Sequence, residues 1–224
     1  MSDLTLIIPA KNEVESLPQV LDELKDFNFK INIVLESSDK LTIESIKNYN
    51  CNIIYQDSKG YGDALKKGID SVDTELFCIF VADGSFNPKE LGHMISKIEN
   101  DNNDFVFASR YEKNCGSDDD TVITFIGNYI FTFLGKFFFK LEITDILYTF
   151  VVARTSCAKK LELTAKDFSF CVELPIKAKR ANYRICTSKS YERARLAGEK
   201  KVNAFKDGLK ILFSMVKLFF KIKV

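Results

Sequence analysis

Five short runs rich in β-branched and aromatic residues recur through the first half of the chain, each separated from the next by a segment of different periodicity. They are LTLII (4–8), INIVL (31–35), CNIIY (51–55), LFCIFV (76–81) and DFVFA (104–108), and they read as buried strands. Between them, Val14, Leu17, Leu21 and Leu24 share one helical face, and Leu91, Met94, Ile95 and Ile98 follow i, i+3, i+4, i+7 spacing. Pro88 stands in the first turn of that second helix, where its missing N–H costs nothing. Strand–helix alternation of this kind predicts a mostly parallel sheet with right-handed crossovers. Ligands of such sheets sit beyond the carboxyl ends of the strands.

The second half is less regular. A loop is expected over 116–120 and a Phe-rich helix over 121–141. A strand near 148–153, a helix near 172–181 and a strand at 183–186 follow, and an amphipathic helix runs from 202 to 220. There is no internal repeat and no Gly/Pro/Ser linker, so all 224 residues are expected to form one domain. The net charge of +1 gives no general affinity for polyanions, and no nucleic-acid partner is expected. The six cysteines (Cys51, Cys78, Cys115, Cys157, Cys171, Cys186) form no CxxC pair, and the single histidine, His93, cannot complete a zinc cluster. Buried free thiols in a reducing cytoplasm are the expectation. The N-terminus lacks the pattern of a signal peptide. The uncharged stretch 121–135 falls short of the roughly 20 residues of a spanning helix, and lysines interrupt 209–224, so neither is expected to cross a bilayer.

Four strand ends carry unusual residues. After the first comes Pro9-Ala10-Lys11-Asn12-Glu13, where Asn12 also suits an N-cap and Glu13 a helix dipole. After the second comes Glu36-Ser37-Ser38-Asp39, and after the third Lys59-Gly60-Tyr61-Gly62-Asp63-Ala64, whose glycines permit close backbone approach. After the fourth comes Ala82-Asp83-Gly84-Ser85, an acid at a strand tip suited to holding a divalent metal on a diphosphate. Each alone also fits an ordinary turn or cap. Four along one sheet edge point to a site.

IIPAKNE, GYGDALKKG, ADGSFNP and ASRY, in this order and spacing, resemble dolichyl-phosphate mannosyltransferase and related family-two glycosyltransferases, and the likeness runs on through TDILYTF to RLAGEKK. The resemblance implies a GT-A (Rossmann-like) three-layer α/β/α fold, with a nucleotide-sugar-binding half (1–110), an acceptor half (111–193) and a basic loop with its helix (194–224). It implies that Pro9, Asn12, Glu13 and Glu36 hold the nucleoside, with Glu36 in place of the usual aspartate. It also implies that Lys59, Gly60 and Asp63 lie beside the nucleotide, with Ala82 and Asp83 next to its phosphates. The family's Asp-x-Asp motif chelates Mg²⁺ or Mn²⁺; here its first position is Val81 and Asp83 remains, with Ser85 as an added oxygen ligand. Arg110 resembles a residue near the reacting phosphates. Arg195 and Lys201 correspond to the cations of the family's Arg-x-x-Gly-x-Ser-Lys motif, with Lys200 in place of serine. Arg and Lys suit the charge developing on a departing diphosphate.

Asp145 would sit near the acceptor. It takes a proton if the acceptor is a hydroxyl, is not needed as a base if the acceptor is a phosphate, and equally fits a helix cap. Asp118, Asp119 and Asp120 read as a charge-favoured helix N-terminus rather than metal ligands. At roughly 100° per residue, Lys206, Lys210, Lys217 and Lys221 form one stripe of the last helix, edging a broad apolar face. Such a helix suits an anionic leaflet, or packing on the domain or on a second subunit. Phe125, Phe131, Phe133, Phe137, Phe138 and Phe139 either line a lipid path or fill the core. The expectation is an inverting, metal-dependent hexosyltransferase using a nucleoside diphosphate sugar. Its acceptor would be a polyprenyl phosphate or other lipid-linked acceptor, or a glycan, with peripheral contact at the cytoplasmic face of a membrane and room for a homo-oligomer. One rival is a catalytically silent nucleotide- or partner-binding module, favoured by Val81. A second is a sugar-phosphate nucleotidyltransferase, disfavoured because PAKNE lacks a Gly-rich basic loop.

Overall fold

The computed structural model describes residues 3–198 and 201–221. Lys200, at the serine position of the basic motif, lies outside the described residues. In chain order the elements are β1 (Leu4–Pro9), α1 (Ser16–Leu24), β2 (Lys30–Leu35), α2 (Lys40–Ser45), β3 (Asn52–Tyr55), α3 (Tyr61–Ser71) and β4 (Leu76–Ile79). A 3₁₀ turn (Pro88–Glu90) leads into α4 (Leu91–Glu99), followed by β5 (Phe105–Ser109), β6 (Gly116–Ser117) and α5 (Val122–Phe139). Then come β7 (Val151–Arg154), α6 (Thr155–Lys159), α7 (Phe170–Arg180), β8 (Ile185–Lys189), β9 (Tyr191–Glu192) and α8 (Ala204–Phe219).

Seven strands make one sheet in the order β3-β2-β1-β4-β7-β5-β8. β1 pairs in parallel with β2 and β4, β2 with β3, and β5 with β8. β7 runs antiparallel between β4 and β5, with Val151 opposite both Ile79 and Phe107. The sheet is therefore mostly parallel, as the strand–helix alternation predicts. The direction of β7 is a property the 148–153 run does not reveal, because residue pattern reports burial and not polarity of the strand.

Successive side chains of a strand point to opposite faces, and the two faces build two core layers. Leu6, Ile8, Ile33, Leu35 and Phe80 pack under α1 and α4 through Leu17, Leu21, Leu91 and Ile95. Ile7, Val34, Phe77, Phe105 and Phe107 pack under α3, α7 and α8 through Leu65, Ile69, Val172, Ile176, Ile211 and Met215. Three layers, helix–sheet–helix, result. The carboxyl ends of β1, β2, β3 and β4 share one edge, which is where the four unusual turns lie.

α5 inverts the usual polarity of a helix in a soluble domain. It starts from a capping box in which the Thr121 and Thr124 side chains each bond the other's backbone N–H. Its buried residues are Asn128, Thr132 and Gly135, while Val122, Ile123, Ile126, Tyr129, Phe133, Phe137 and Phe138 are exposed. The inward polar stripe is satisfied by the chain that follows the helix. Asn128 Oδ1 accepts from the Leu147 N–H at 3.2 Å and Thr132 Oγ1 from the Ile146 N–H at 3.2 Å. The capped helix end accounts for Asp120 only; Asp118 and Asp119 of the same run point elsewhere.

Phe150 ties the sheet to the loops above it. It is fully buried, stacked on Phe86 at 4.6 Å and edge-on to Phe80 at 5.7 Å and Tyr148 at 6.3 Å. Phe150→Ala is expected to cost about 3–5 kcal/mol by transfer and cavity terms. Urea denaturation followed by far-ultraviolet circular dichroism measures it; a loss below about 1 kcal/mol would show that the ring cluster does not hold this edge.

Candidate active site

A cleft of about 670 Å³ opens at the carboxyl edge of the sheet. Its walls come from every part of the chain. Pro9 ends β1 and Ala10, Lys11, Asn12 and Glu13 follow it, Glu36 follows β2, and Gln56 and Gly60 follow β3. Val81, Ala82, Asp83 and Ser85 follow β4, Arg110 follows β5, and Asp119 and Asp120 precede α5. Tyr148 and Thr149 precede β7, and Arg195 and Lys201 lie between β9 and α8. Glu36, Asp83 and Lys201, far apart in sequence, thus meet in one hollow.

The turn after β1 is rigid. Asn12 has a left-handed backbone (φ 54°), and its N–H donates to Asp39 Oδ2 at 2.7 Å. Asp39 also caps α2 by accepting from the Thr42 N–H. Asn12 is therefore not the cap of α1, which begins only at Ser16; the Asp39 carboxylate after the neighbouring strand β2 receives its N–H instead. Glu13 accepts from Ser16 Oγ at 2.7 Å and pairs with Lys201 Nζ at 3.0 Å. Lys11 pairs with Glu36 at 3.1 Å on the same wall.

The glycines after β3 serve the chain itself. Gly60 has φ 126°, and a side-chain carbon there would come within 2.1 Å of the Lys166 carbonyl oxygen. The Asp63 N–H donates to that same carbonyl at 3.2 Å. Asp63 then turns its carboxylate back onto Ser58, accepting from its N–H at 2.9 Å and its hydroxyl at 2.7 Å. Gly60 reaches the cleft; Lys59 and Asp63 do not line it. Of Lys59, Gly60 and Asp63, all expected beside a nucleotide, Gly60 alone lines the cleft, and the close backbone approach of this turn is to residues 165–167.

The turn after β4 carries the central acid. Asp83 Oδ1 accepts from the Ser85 N–H at 3.0 Å and from Ser85 Oγ at 2.8 Å, leaving Oδ2 toward Arg195. Ser85 is 3% exposed, lines the cleft and donates its hydroxyl to Asp83, so it orients that carboxylate. Gly84 has φ 81°, and a side-chain carbon there would strike Leu196 at 2.5 Å. That closeness lets the basic strap dock: the Leu196 N–H donates to the Asp83 carbonyl at 2.8 Å and the Arg193 N–H to the Ser85 carbonyl at 2.9 Å.

Arg195 is delivered by this strap between two carboxylates. Nε and Nη2 donate to Asp119 at 3.3 and 2.9 Å, and Nη1 stands 3.6 Å from Asp83 Oδ2. Its hydrogen bonds to Asp119, ahead of the attraction of Asp83, hold the guanidinium more firmly protonated than an isolated arginine despite partial burial. Asp119, read from the sequence as part of a helix N-terminus, is a residue of the cleft. The signal that would have found it is the pairing of β6 with β9, two-residue strands with no periodicity to detect. That ribbon brings 117–119 beside 191–195, with Tyr191 Oη donating to Asp118 at 2.6 Å.

Arg110 forms the floor. Nε and Nη2 donate to the two oxygens of Asp145 at 2.8 and 3.0 Å, and Nη1 donates to Glu192 at 2.9 Å. The guanidinium carbon sits 4.5 Å from the centre of the Tyr148 ring. Burial opposes its charge, but Asp145 and Glu192 more than compensate and keep it protonated. Asp145 also accepts from the Arg110 N–H at 3.1 Å and from Asn128 Nδ2, and its side chain has no exposed surface. It caps no helix and does not line the cleft. Asp145 anchors Arg110 to α5, both of its oxygens accepting hydrogen bonds from Arg110 and Asn128.

The chain matches known proteins over most of its length. The sequence profile described as Glycosyl transferase family 2 covers residues 5–162. An uncharacterised glycosyltransferase of Mycobacterium tuberculosis is 25% identical over 96 residues, 43% of this chain and 44% of that protein, so the likeness spans less than half of this relative's length. A dolichyl-phosphate hexose transferase of Haloferax volcanii is 25% identical over 219 residues, 96% of this chain and 93% of its own. Among solved structures, glucosyl-3-phosphoglycerate synthase from Mycobacterium tuberculosis, crystallised with Mn²⁺, UDP and glucosyl-3-phosphoglycerate, superposes with a TM-score of 0.78 at 12% identity. That match covers 100% of this chain and 81% of the other. Mannosyl-3-phosphoglycerate synthase from Rubrobacter xylanophilus gives 0.74 at 14% identity, over 98% of this chain and 73% of the other. These structures bear out the GT-A fold.

Removing one partner of a buried ion pair leaves the other charge uncompensated. Asp145→Ala is therefore expected to destabilise the domain by about 3–5 kcal/mol, whereas Lys11→Ala, at the exposed pair with Glu36, shifts stability by less than about 1 kcal/mol. Thermal denaturation of the two variants side by side measures the contrast, and equal losses would contradict it.

Proposed function

The chain belongs to glycosyl transferase family 2, and from that premise we propose that it transfers a hexose from a nucleoside diphosphate sugar to a lipid phosphate, with inversion at the anomeric carbon. The observation that carries the reading is the convergence of Glu36, Asp83, Arg195 and Lys201 on one cleft. The nucleoside would lie against Pro9, Lys11, Glu13 and Glu36, and the diphosphate between Asp83, Arg195 and Lys201. Arg195 offers a planar fork for bidentate contact and Lys201 a mobile point charge. Both are held ready by carboxylates, Arg195 by Asp119 and Lys201 by Glu13, which a more highly charged diphosphate can outcompete.

The donor set suits a hard divalent cation. Asp83 has one carboxylate oxygen directed to a cation already, the Arg195 guanidinium, so that place favours positive charge. Among the described residues no three His, Cys, Asp or Glu side chains cluster as a full metal cage. Mg²⁺ and Mn²⁺ at phosphates need only one or two carboxylates, the rest coming from phosphate and water. When bound there, the ion would neutralise charge developing on the departing diphosphate. A phosphate acceptor is anionic at neutral pH and needs no base, in keeping with Asp145 being fully occupied by Arg110 and Asn128. Arg110, on the floor of the cleft, has N–H groups left over for an incoming anion.

The lipid nature of the acceptor rests on the Haloferax volcanii relative and on the surface beside the cleft. α5 enters the cleft wall at Thr124 and Asn128 and is, by length and composition, apolar enough to cross a membrane. Its polar side is bound into the domain, which favours lying in the plane of the interface. α8 packs on the domain through Ile211, Met215 and Leu218 and exposes Phe205, Leu209, Phe213, Val216 and Phe220. Phe138 and Phe219 join the two helices edge to face at 5.6 Å. With Lys206, Lys217 and Lys221 at its margin, this surface fits an anionic leaflet, on the cytoplasmic side where free thiols persist. A catalytically silent nucleotide-binding module is the second reading, favoured by Val81 in the metal motif.

Asp83→Ala is expected to lower transfer from a panel of nucleotide sugars by about a hundredfold or more, as read by mass spectrometry of the glycosylated lipid. Undiminished turnover would remove Asp83 from the site, and no turnover by the wild type despite nucleotide binding would favour the silent module. Serine at Phe133, Phe137 and Phe213 together is expected to abolish sedimentation with vesicles rich in anionic lipid, each ring contributing about 1.5–3 kcal/mol when buried; sedimentation equal to the wild type would overturn the membrane assignment.

A further inference from the structure

We propose that the paired hydroxyls of Tyr61 and Thr149 read a ring hydroxyl of the donor hexose and so select the sugar that is transferred. The inference rests on the proposed donor reading and adds to it the residues that recognise the sugar. The sheet places them. In the order β4-β7-β5, the chain leaving β4 carries Asp83, the chain leaving β5 carries Arg110, and β7 starts between the two. Val151 opposes Ile79 on one side and Phe107 on the other. Carried two residues further, these registers set Thr149 between Val81 and Ser109. The Ala108 N–H, donating to the Phe150 carbonyl at 2.9 Å, continues the second of them. With the diphosphate at Asp83 and the acceptor phosphate at Arg110, the hexose attached to the first and attacked by the second lies over Thr149.

Tyr61 reaches the same place from the first turn of α3. Its Oη stands 2.7 Å from Thr149 Oγ1, and both residues line the cleft. Among the described residues, each hydroxyl has only the other as a hydrogen-bond partner. Two hydroxyls bring two hydrogens, and the bond between them uses one. One O–H and the unused lone pairs are left for a ligand, so the pair can both donate to a sugar hydroxyl and accept from it. Burial above all, with Asp83 among the nearby charges, raises the pKa of the Tyr61 hydroxyl, so its hydrogen is present at neutral pH. Stacking on Phe168 at 5.0 Å holds the Tyr61 ring in place. Phe168 ends a segment, 164–168, whose start is tied down by Glu173. That fully buried carboxylate accepts from the Thr164 N–H at 2.9 Å and from the Ala165 N–H at 2.8 Å. The close approach of Gly60 and Gly62 to the backbone of 165–167 locks the segment against the start of α3. A donor–acceptor pair held rigid at the sugar position is what discrimination between hydroxyl arrangements requires.

The test separates recognition of the sugar from a bracing role between α3 and β7. The UDP and GDP derivatives of glucose, galactose and mannose are titrated calorimetrically into the wild type with MnCl₂. The tightest-bound of them is then compared with analogues in which each hexose hydroxyl is removed in turn, and with its parent diphosphate. Removal of one particular hydroxyl is expected to weaken wild-type binding by about tenfold or more. In a double variant, Tyr61→Phe with Thr149→Val, the same removal should cost less than about threefold, with affinity for the parent diphosphate kept within that margin. Thr149→Ser, which retains the hydroxyl, should behave as the wild type. Circular dichroism melts confirm folding, and an unfolded double variant is replaced by Tyr61→Phe alone, which keeps the ring on Phe168. The assignment is overturned if the folded variant depends on every hydroxyl as the wild type does, or if its losses are uniform across the series and the parent diphosphate. A wild type indifferent to every hydroxyl also overturns it, and each of these results leaves the donor reading intact. If the wild type binds none of the nucleotide sugars, both fall.

Discussion

An arginine shared by two buried carboxylates holds the working edge of this molecule together. The Arg110 side chain is 10% exposed and the Asp145 side chain has no exposure, so neither charge tolerates loss of the other. Because Arg110 follows β5, Asp145 precedes β7, Asn128 belongs to α5 and Glu192 to β9, one ion-pair cluster joins four separate segments. Everything above it, the Tyr148 shelf, the β6–β9 ribbon and the basic strap, takes its position from that cluster. The strap in turn is hydrogen bonded to the Asp83 turn, and this is how the second half of the chain reaches the site built by the first.

The sheet was legible because its central strands β1, β4, β5 and β7 are buried almost throughout and announce themselves as unbroken apolar runs. The four turns at its carboxyl edge were legible for a related reason: Pro, Gly and acids at strand tips break those runs in a recognisable way. Other features left no such trace. The antiparallel course of β7 depends on where the chain travels between 111 and 150, which side-chain pattern does not encode. Asn12 takes a left-handed backbone only because Asp39 is there to receive its N–H. The glycines at 60 and 62 signalled close approach correctly, but to the backbone of 165–167, which a local pattern cannot name.

Two misread residues show the same limit from the side of charge. Asp119 sits in an acidic triplet before a helix, where a dipole argument is reasonable, yet a two-residue ribbon turns it toward Arg195. Asp145 sits before a strand with Tyr148 and Thr149 and suggested chemistry or a cap, yet its partners come from 35 and 17 residues away. In each case the deciding contact is long-range, and only the fold supplies it. α5 reverses the ordinary rule altogether: its amides and hydroxyls face the protein and its rings face outward, a polarity suited to a surrounding that is not water. Its position beside the cleft joins that surface to the site.

The central claim is that carboxylates and cations from distant parts of the chain hold one diphosphate. A crystal structure of the protein grown with a bound nucleotide sugar and MnCl₂ tests it most directly. Diphosphate density is expected within hydrogen-bonding reach of Arg195 and Lys201, with the nucleoside beside Glu36. A nucleotide bound elsewhere on the surface, with Arg195 still held by Asp119 and Asp83 and Lys201 by Glu13, would contradict it.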